Sequence, residues 1–240
     1  MYDLRHSPRD SMYDAVWESI FSSRGWGRYP AEDLVRFVAR EAFGVADRGR
    51  LKALELGCGP GANLWFLARE RIPFDAIDGS PTAVSQATAR LDEELPGWRG
   101  RIRCGDFCAL PEDFTGYDFV IDSEAICCND LAESRRLIEQ VHDRLLPGGA
   151  FWSRTFAPGT WGTEDGERVG DDYWRFASGP LAAKGAIRLT PRDSIPALYG
   201  SRWESLRVGE ITRHDGDPRE QIREWIIVAR KAASLPAPGR

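Results

Sequence analysis

Histidine is scarce in this chain, with three in 240 residues, and none stands where a catalytic base is expected. His6 is near the N-terminus, His142 falls in a helical stretch before Pro147, and His214 falls in a closing turn. The five cysteines are odd in number and lack zinc-ligand spacing, which argues against a disulfide framework or a structural zinc site. No block of Lys and Arg stands out and the net charge is -5, so the electrostatic footprint of a nucleic-acid binder is missing. No apolar run approaches the roughly 20 residues that span a bilayer. The polar stretch from Met1 to Asp10 lacks the apolar core of a signal peptide. Internal repeats and long low-complexity segments are also absent. The expectation is a cytoplasmic protein, monomer or homodimer, with no metal, no nucleic-acid partner and no membrane partner.

What is present suits an ordinary soluble globule, with 42% hydrophobic and 29% charged residues. An amphipathic segment from about Ser11 to Phe21 is broken by Gly25-Trp26-Gly27-Arg28-Tyr29-Pro30, and a second helix follows. Residues 1–50 thus read as a helical cap. From Leu51 the pattern alternates strand and helix: strands at about Leu51–Leu56, Phe74–Ile77, Arg101–Cys104, Tyr117–Ile121 and Ala150–Thr155. A helix from about Leu131 to Leu146 stops at Pro147-Gly148-Gly149. This order predicts an α/β, doubly wound, mostly parallel sheet over residues 51–230. The rhythm fails between Pro158 and Leu189, which predicts an insertion or lid. A helix over Thr190–Tyr199 follows, and two strands, about Leu206–Arg213 and Ile222–Ala229, read as an antiparallel hairpin at the sheet edge. Lys231 to Arg240 reads as a loose tail.

The most informative stretch is Leu54-Glu55-Leu56-Gly57-Cys58-Gly59-Pro60-Gly61, a strand that runs into three alternating glycines before a helix. Such a turn lets a cofactor lie against bare backbone. Glu55 would repel a ligand held only by its phosphates and attract one with a cationic end. The dinucleotide fingerprint fits loosely, but Pro60 removes an amide that would cradle a pyrophosphate. Ligands of open α/β sheets sit at the carboxyl ends of the strands. There, Asp78 is placed to accept both hydroxyls of a ribose, Asp106 to accept from an adenine amino group, and Phe107 to pack on the ring. Asp122, Ser123, Glu124 and Asn129 follow the fourth strand, where a substrate would sit.

Taken in order, E-L-G-C-G-P-G, Asp78, Gly105-Asp106-Phe107, Tyr117-Asp118-Phe119-Val120 and Leu145-Leu146-Pro147-Gly148-Gly149 resemble a class I S-adenosylmethionine-dependent methyltransferase of the bacterial small-molecule type. The resemblance covers about Leu51 to Ala229. It implies a seven-stranded Rossmann-like sheet, S-adenosylmethionine as cofactor, S-adenosylhomocysteine as product and a small-molecule acceptor. It also implies that Asp78 holds the ribose, Asp106 the adenine and the glycine loop the methionine part, with Trp26, Arg28 and Tyr29 closing over the donor and Arg28 available to its carboxylate. The donor-binding candidates are Trp26, Arg28, Tyr29, Glu55, Gly57, Cys58, Gly59, Gly61, Asn63, Asp78, Gly79, Ser80, Gly105, Asp106, Phe107 and Ser123.

Methyl transfer needs little from the protein when the acceptor is already nucleophilic. A neutral alcohol needs a base, for which Glu124 and Asp122 are the candidates. Trp161, Tyr173, Trp174, Phe176, Arg168, Arg175 and Arg188 in the insertion would suit an acceptor with an apolar or sugar face and an anionic group. Cys127-Cys128 stands where related enzymes place histidine; a thiol site for a metalloid and a pair of small buried side chains are both open readings. Aminopropyl transfer on the same fold, and a non-catalytic subunit that binds the cofactor, are the alternatives.

Overall fold

The computed structural model describes residues 15–233. His6, residues 11–14 of the expected first helix, and residues 234–240 of the expected tail lie outside the described residues. Two helices, α1 (Ala15–Ser23) and α2 (Glu32–Ala42), precede the sheet. The core then alternates β1 (Ala53–Leu56), α3 (Ala62–Arg69), β2 (Phe74–Asp78), α4 (Pro81–Glu94), β3 (Gly100–Cys104), β4 (Tyr117–Ser123), α5 (Leu131–Arg144) and β5 (Leu145–Phe156). Three short strands follow: β6 (Glu167–Gly170), β7 (Tyr173–Arg175) and β8 (Ala186–Arg188). The chain closes with α6 (Ile195–Tyr199), β9 (Trp203–His214) and β10 (Gln221–Lys231).

The large sheet has seven strands in the order β3-β2-β1-β4-β5-β10-β9. β10 pairs antiparallel with both β5 and β9, and the other pairs are parallel. The central strands β1 and β2 are buried along their whole length, because helices cover both faces. One face packs Leu34, Phe37 and Val38 of α2 and Leu64 and Leu67 of α3 against Phe119 and Trp152. Phe37 meets Phe119 edge-on at 5.8 Å and stacks on Trp152 at 6.3 Å. The other face packs Leu137, Ile138 and Val141 of α5 and Leu198 and Tyr199 of α6 against Val120, Phe151 and Trp225.

Three local expectations differ from the structure. Pro147-Gly148-Gly149 lies inside β5, since α5 already ends at Arg144; Gly148 takes φ +77° there and its N–H donates to the Ala232 carbonyl at 3.1 Å. The helix expected over Thr190–Tyr199 is a 3-10 turn, Arg192–Ser194, followed by the short α6, because Pro191 is held extended and the helix cannot begin there. Lys231, expected in a loose tail, is the last residue of β10, and its ammonium donates to the His142 and Leu145 carbonyls. The stretch without periodicity, 158–189, carries the separate antiparallel sheet β6-β7-β8. Phe176, Leu181, Ile187 and Leu189 build its core against Phe156 and Ile222.

Candidate active site

A cavity of about 880 Å³ opens at the carboxyl ends of β1, β2 and β4. That is near the top of the ~300–1,000 Å³ usual for small-molecule sites, so it has room for two ligands side by side. The glycine loop forms its floor, α1 and the Trp26–Tyr29 segment its roof, and the insertion its far wall. Gly57 takes φ +61°, and a Cβ there would lie 2.4 Å from the Ala125 methyl. Gly61 takes φ +81°, where a Cβ would press on Ala87 at 2.8 Å. Both conformation and packing therefore demand glycine.

Asp78 ties the loop to the end of β2. One carboxylate oxygen accepts from the Gly59 N–H at 2.7 Å and the other from the Ser80 N–H at 2.8 Å. Asp78 lines the cavity beside Gly79. Ser80 is buried and caps α4, its hydroxyl accepting from the Ala83 N–H at 3.0 Å. The same hydroxyl donates to Glu18 of α1, as does that of Thr82 at 2.6 Å. This ties the roof helix to the N-terminus of α4, where negative charge is favoured.

Glu55 is buried beneath the loop with a single side-chain partner, Asn63, whose amide donates to Oε1 at 2.6 Å. Its Oε2 is buried and has no hydrogen-bond partner. Burial, opposed by Asn63 and reinforced by the nearby Asp78 and Asp122 carboxylates, pushes this carboxyl up to about 8. An orphaned acceptor on a cavity wall fits a ligand that brings a cationic donor. Cys58 also lines the cavity, but burial first and the Asp78 and Glu55 charges next raise its thiol well above the ordinary range, so it is inert. Gly105 and Phe107 line the cavity, and Asp106 faces it from a turn that it closes itself, accepting from the Cys108 N–H at 2.8 Å.

The two candidate bases separate. Asp122 is fully buried behind the wall; its Oδ1 accepts from the Ala125 and Ile126 N–H groups at 3.0 and 2.9 Å, and its Oδ2 from the Ser153 hydroxyl at 2.6 Å. It pins the turn after β4 and does not line the cavity. Glu124 does, beside Ser123, and holds φ +65°. That is a strained conformation for a non-glycine residue, and such residues cluster at functional sites. Burial, then the Glu224 carboxylate, push Glu124 up to about 8 against the pull of Arg154, which lies 3.3 Å away. Arg154 is itself buried, bonded to Glu224 and 3.6 Å from Asp33 of α2.

Trp26 and Tyr29 line the roof, but Arg28 points outward to Glu94 of α4 and is absent from the cavity wall. Trp26 packs edge-on against Trp17 and Phe21 of α1 at 5.8 and 5.4 Å. In the insertion, Phe176 is core, Trp161 and Trp174 pack against it, and Arg168 and Arg175 pair with Asp172 and Glu167 on its surface. Arg188 is buried and donates to the Thr190 hydroxyl at 2.6 Å. The residues that the insertion gives the cavity are instead Lys184 and Ile187. Cys127 and Cys128 both donate to the Glu124 carbonyl, at 3.2 and 3.5 Å, and no disulfide joins the cysteines. Among the described residues no group of three or more ligand side chains could hold a metal ion, and no helix is long and apolar enough to cross a membrane. His142 packs edge-on against Trp203 at 4.9 Å in the core, and His214 is exposed in the hairpin.

Glu18, Arg154, Glu224, Lys184 and Arg213 escaped the sequence reading. The visible signal is Arg154, the one charged residue in Leu145–Phe156; Glu224 stands in a strand that also carries Arg223, Arg230 and Lys231.

Comparison with known proteins agrees with this geometry. Residues 53–149 match the family model described as methyltransferase domain. An uncharacterised 37.1 kDa protein of transposon TN4556 from Streptomyces fradiae is 36% identical over 108 residues, covering 42% of this chain and 30% of that protein. The chain thus matches about a third of the length of this curated relative. Among solved structures, the CcbJ methyltransferase from Streptomyces caelestis shares the fold at a TM-score of 0.64 and 17% identity, over 93% of this chain and 99% of that one. A SAM-dependent methyltransferase from Methanosarcina mazei shares it at a TM-score of 0.62 and 18% identity, over 76% of this chain and 93% of that one. The glycine loop and the strand order thus agree with the match of residues 53–149 to a methyltransferase domain.

Proposed function

We propose that the protein transfers a methyl group from S-adenosylmethionine to an oxygen or nitrogen of a small molecule bound in the same cavity. The observation that carries this is the buried, unpartnered Oε2 of Glu55 on the wall beside the glycine loop. A donor with an ammonium satisfies that oxygen, and a dinucleotide pyrophosphate does not. The resident donor would supply an electrophilic methyl carbon on a sulfonium. Asp78 would hold the ribose, Asp106 and Phe107 the base, and Glu55 with Asn63 the amino-acid ammonium. Trp17, Phe21 and Trp26 would keep water from the reacting centre. Glu124, on the acceptor side, would take the proton of a hydroxyl or ammonium acceptor, because its raised carboxyl lies near neutral pH. Aminopropyl transfer to a polyamine suits this cavity less, because the acceptor side also presents Lys184 and Arg213.

Calorimetry with S-adenosylmethionine and S-adenosylhomocysteine tests the reading. Micromolar binding of both, weakened at least tenfold by Asp78→Ala, is expected. Absence of binding by either compound would overturn it.

A further inference from the structure

Two cations on the acceptor side of the cavity are not needed for the donor. Lys184, in the loop before β8, lines the cavity half-buried, with its ammonium 5.6 Å from the centre of the Trp26 ring. No ion pair of Lys184 exists among the described residues. The charged and titratable groups whose fields reach it are Glu124, Arg24, Cys127 and Cys128. Arg213, at the carboxyl end of β9, also lines the cavity and is half exposed. Its one ion pair among the described residues is a long contact of 3.5 Å to Glu224 Oε2, an oxygen already engaged by Arg154. Most of its fork of donors is therefore unused.

The sheet order separates Arg213 from the donor carboxylates. Along the sheet β9 lies four strand spacings from β1, roughly 19 Å at about 4.8 Å each. The carboxylates for a cationic donor, Glu55 and Asp78, belong to β1 and β2. Between the two ends the wall carries Glu124 together with the uncharged Phe156, Ile187 and Asn129. We propose that Lys184 and Arg213 form an oxyanion subsite, so that the methyl acceptor carries a carboxylate or phosphate at the end remote from its methylated atom.

This rests on the donor-plus-acceptor reading of the cavity, and the test separates the two. Protein saturated with S-adenosylhomocysteine is titrated with benzoate, phenyl phosphate and the neutral benzamide, following tryptophan fluorescence for the change at Trp26. At least one of the two anions binds tenfold or more tighter than benzamide, and the stronger one identifies the oxyanion. Lys184→Met and Arg213→Met each abolish that preference, and each leaves S-adenosylhomocysteine affinity within twofold of the parent, which also reports that the variant is folded. Equal binding of anion and amide, binding of none of the three, or a preference that survives both substitutions overturns the subsite. A tenfold loss of S-adenosylhomocysteine affinity in Lys184→Met also overturns it, by assigning the lysine to the donor carboxylate. Failure of the parent protein to bind S-adenosylhomocysteine would sink the methyltransferase reading instead.

Discussion

Arg154 and Glu224 form a buried ion pair across β5 and β10, with Arg154 Nε donating to Glu224 Oε1 at 2.8 Å. The same Nε lies 3.3 Å from Glu124 on the cavity wall, and Asp33 lies 3.6 Å from Nη1, so one guanidinium serves three carboxylates. Such a pair adds little net stability, because the cost of taking both charges out of water offsets much of their attraction. Here it sets the environment of Glu124, the carboxylate that the proposed reaction uses as its base.

The first prediction concerns that proton. Glu124 is raised by burial and by the Glu224 charge to about 8. A base works only when ionised, so kcat rises as pH increases through about 8 and levels above it. Glu124→Gln removes this limb and lowers kcat by about 10²–10⁴, the usual worth of a general base. Glu224→Gln removes a like charge and leaves Arg154 to Glu124 and Asp33, which moves the limb to lower pH. A pH–rate profile of the three proteins decides this. A limb that stays in place in Glu124→Gln means another group carries the proton.

A second prediction follows from Glu55. In the donor-free protein its carboxyl holds a proton to about pH 8, since burial disfavours the charge. A ligand ammonium beside Oε2 favours the ionised form, so binding releases a proton below that pH and affinity improves as pH rises toward 8. Glu55→Gln removes a charge-assisted hydrogen bond worth about 1.5–3 kcal/mol, roughly 10–100-fold in affinity. The loss applies to S-adenosylmethionine and S-adenosylhomocysteine alike, because both carry the ammonium. Calorimetry in two buffers of different ionisation enthalpy counts the proton; a pH-independent affinity would refute the assignment.

The third prediction concerns the roof. Glu18 holds α1 against α4 through Ser80 and Thr82, and these hydrogen bonds keep its carboxyl ionised below the usual carboxylate range. The latch is therefore closed at neutral pH. Glu18→Ala frees α1 and exposes Phe21, which raises the dissociation rate of S-adenosylhomocysteine several-fold and opens the segment near residue 24 to proteolysis. Stopped-flow displacement and limited digestion measure both. An unchanged off-rate would show that α1 does not gate the donor.

The donor half of this site is written in contiguous residues, and the acceptor half is not. The glycine loop, Glu55 and the strand-ending Asp78 sit within one stretch of chain, where alternation and turn chemistry fix their positions. Glu18 and Ser80 are 62 residues apart, and Arg154 and Glu224 are 70 apart. Their contact depends on α1 folding over α4 and on β10 entering between β5 and β9, neither of which a local pattern encodes. Asp122 and Glu124 show the limit most sharply. Period-two alternation puts both on one face, but the positive φ of Glu124 breaks the alternation and sends one to the cavity and the other into the core.

The last prediction separates fold from site. Asp75 of β2 is buried, yet it accepts from Arg101 at 2.7 Å through each oxygen, from the Tyr117 hydroxyl at 2.7 Å, and pairs with Lys52 at 2.8 Å. Burial raises its carboxyl, but the bonds from Arg101, Lys52 and Tyr117 outweigh it and bring the group down to about 2. A carboxyl lower in the folded than in the unfolded state contributes stability that is complete above about pH 4 and lost as pH falls toward 2. The shift corresponds to about 2 kcal/mol. Asp75→Asn leaves Lys52 without a charge partner and Arg101 with Asp113 alone, and costs about 1–3 kcal/mol, the penalty of leaving polar groups short of a partner. Urea denaturation at pH 7 and pH 3 measures both. The variant unfolds at lower urea at pH 7, and its difference from the parent shrinks at pH 3 as the parent begins to lose the pair; a pH-independent difference would mean that packing, not charge, is the contribution of Asp75.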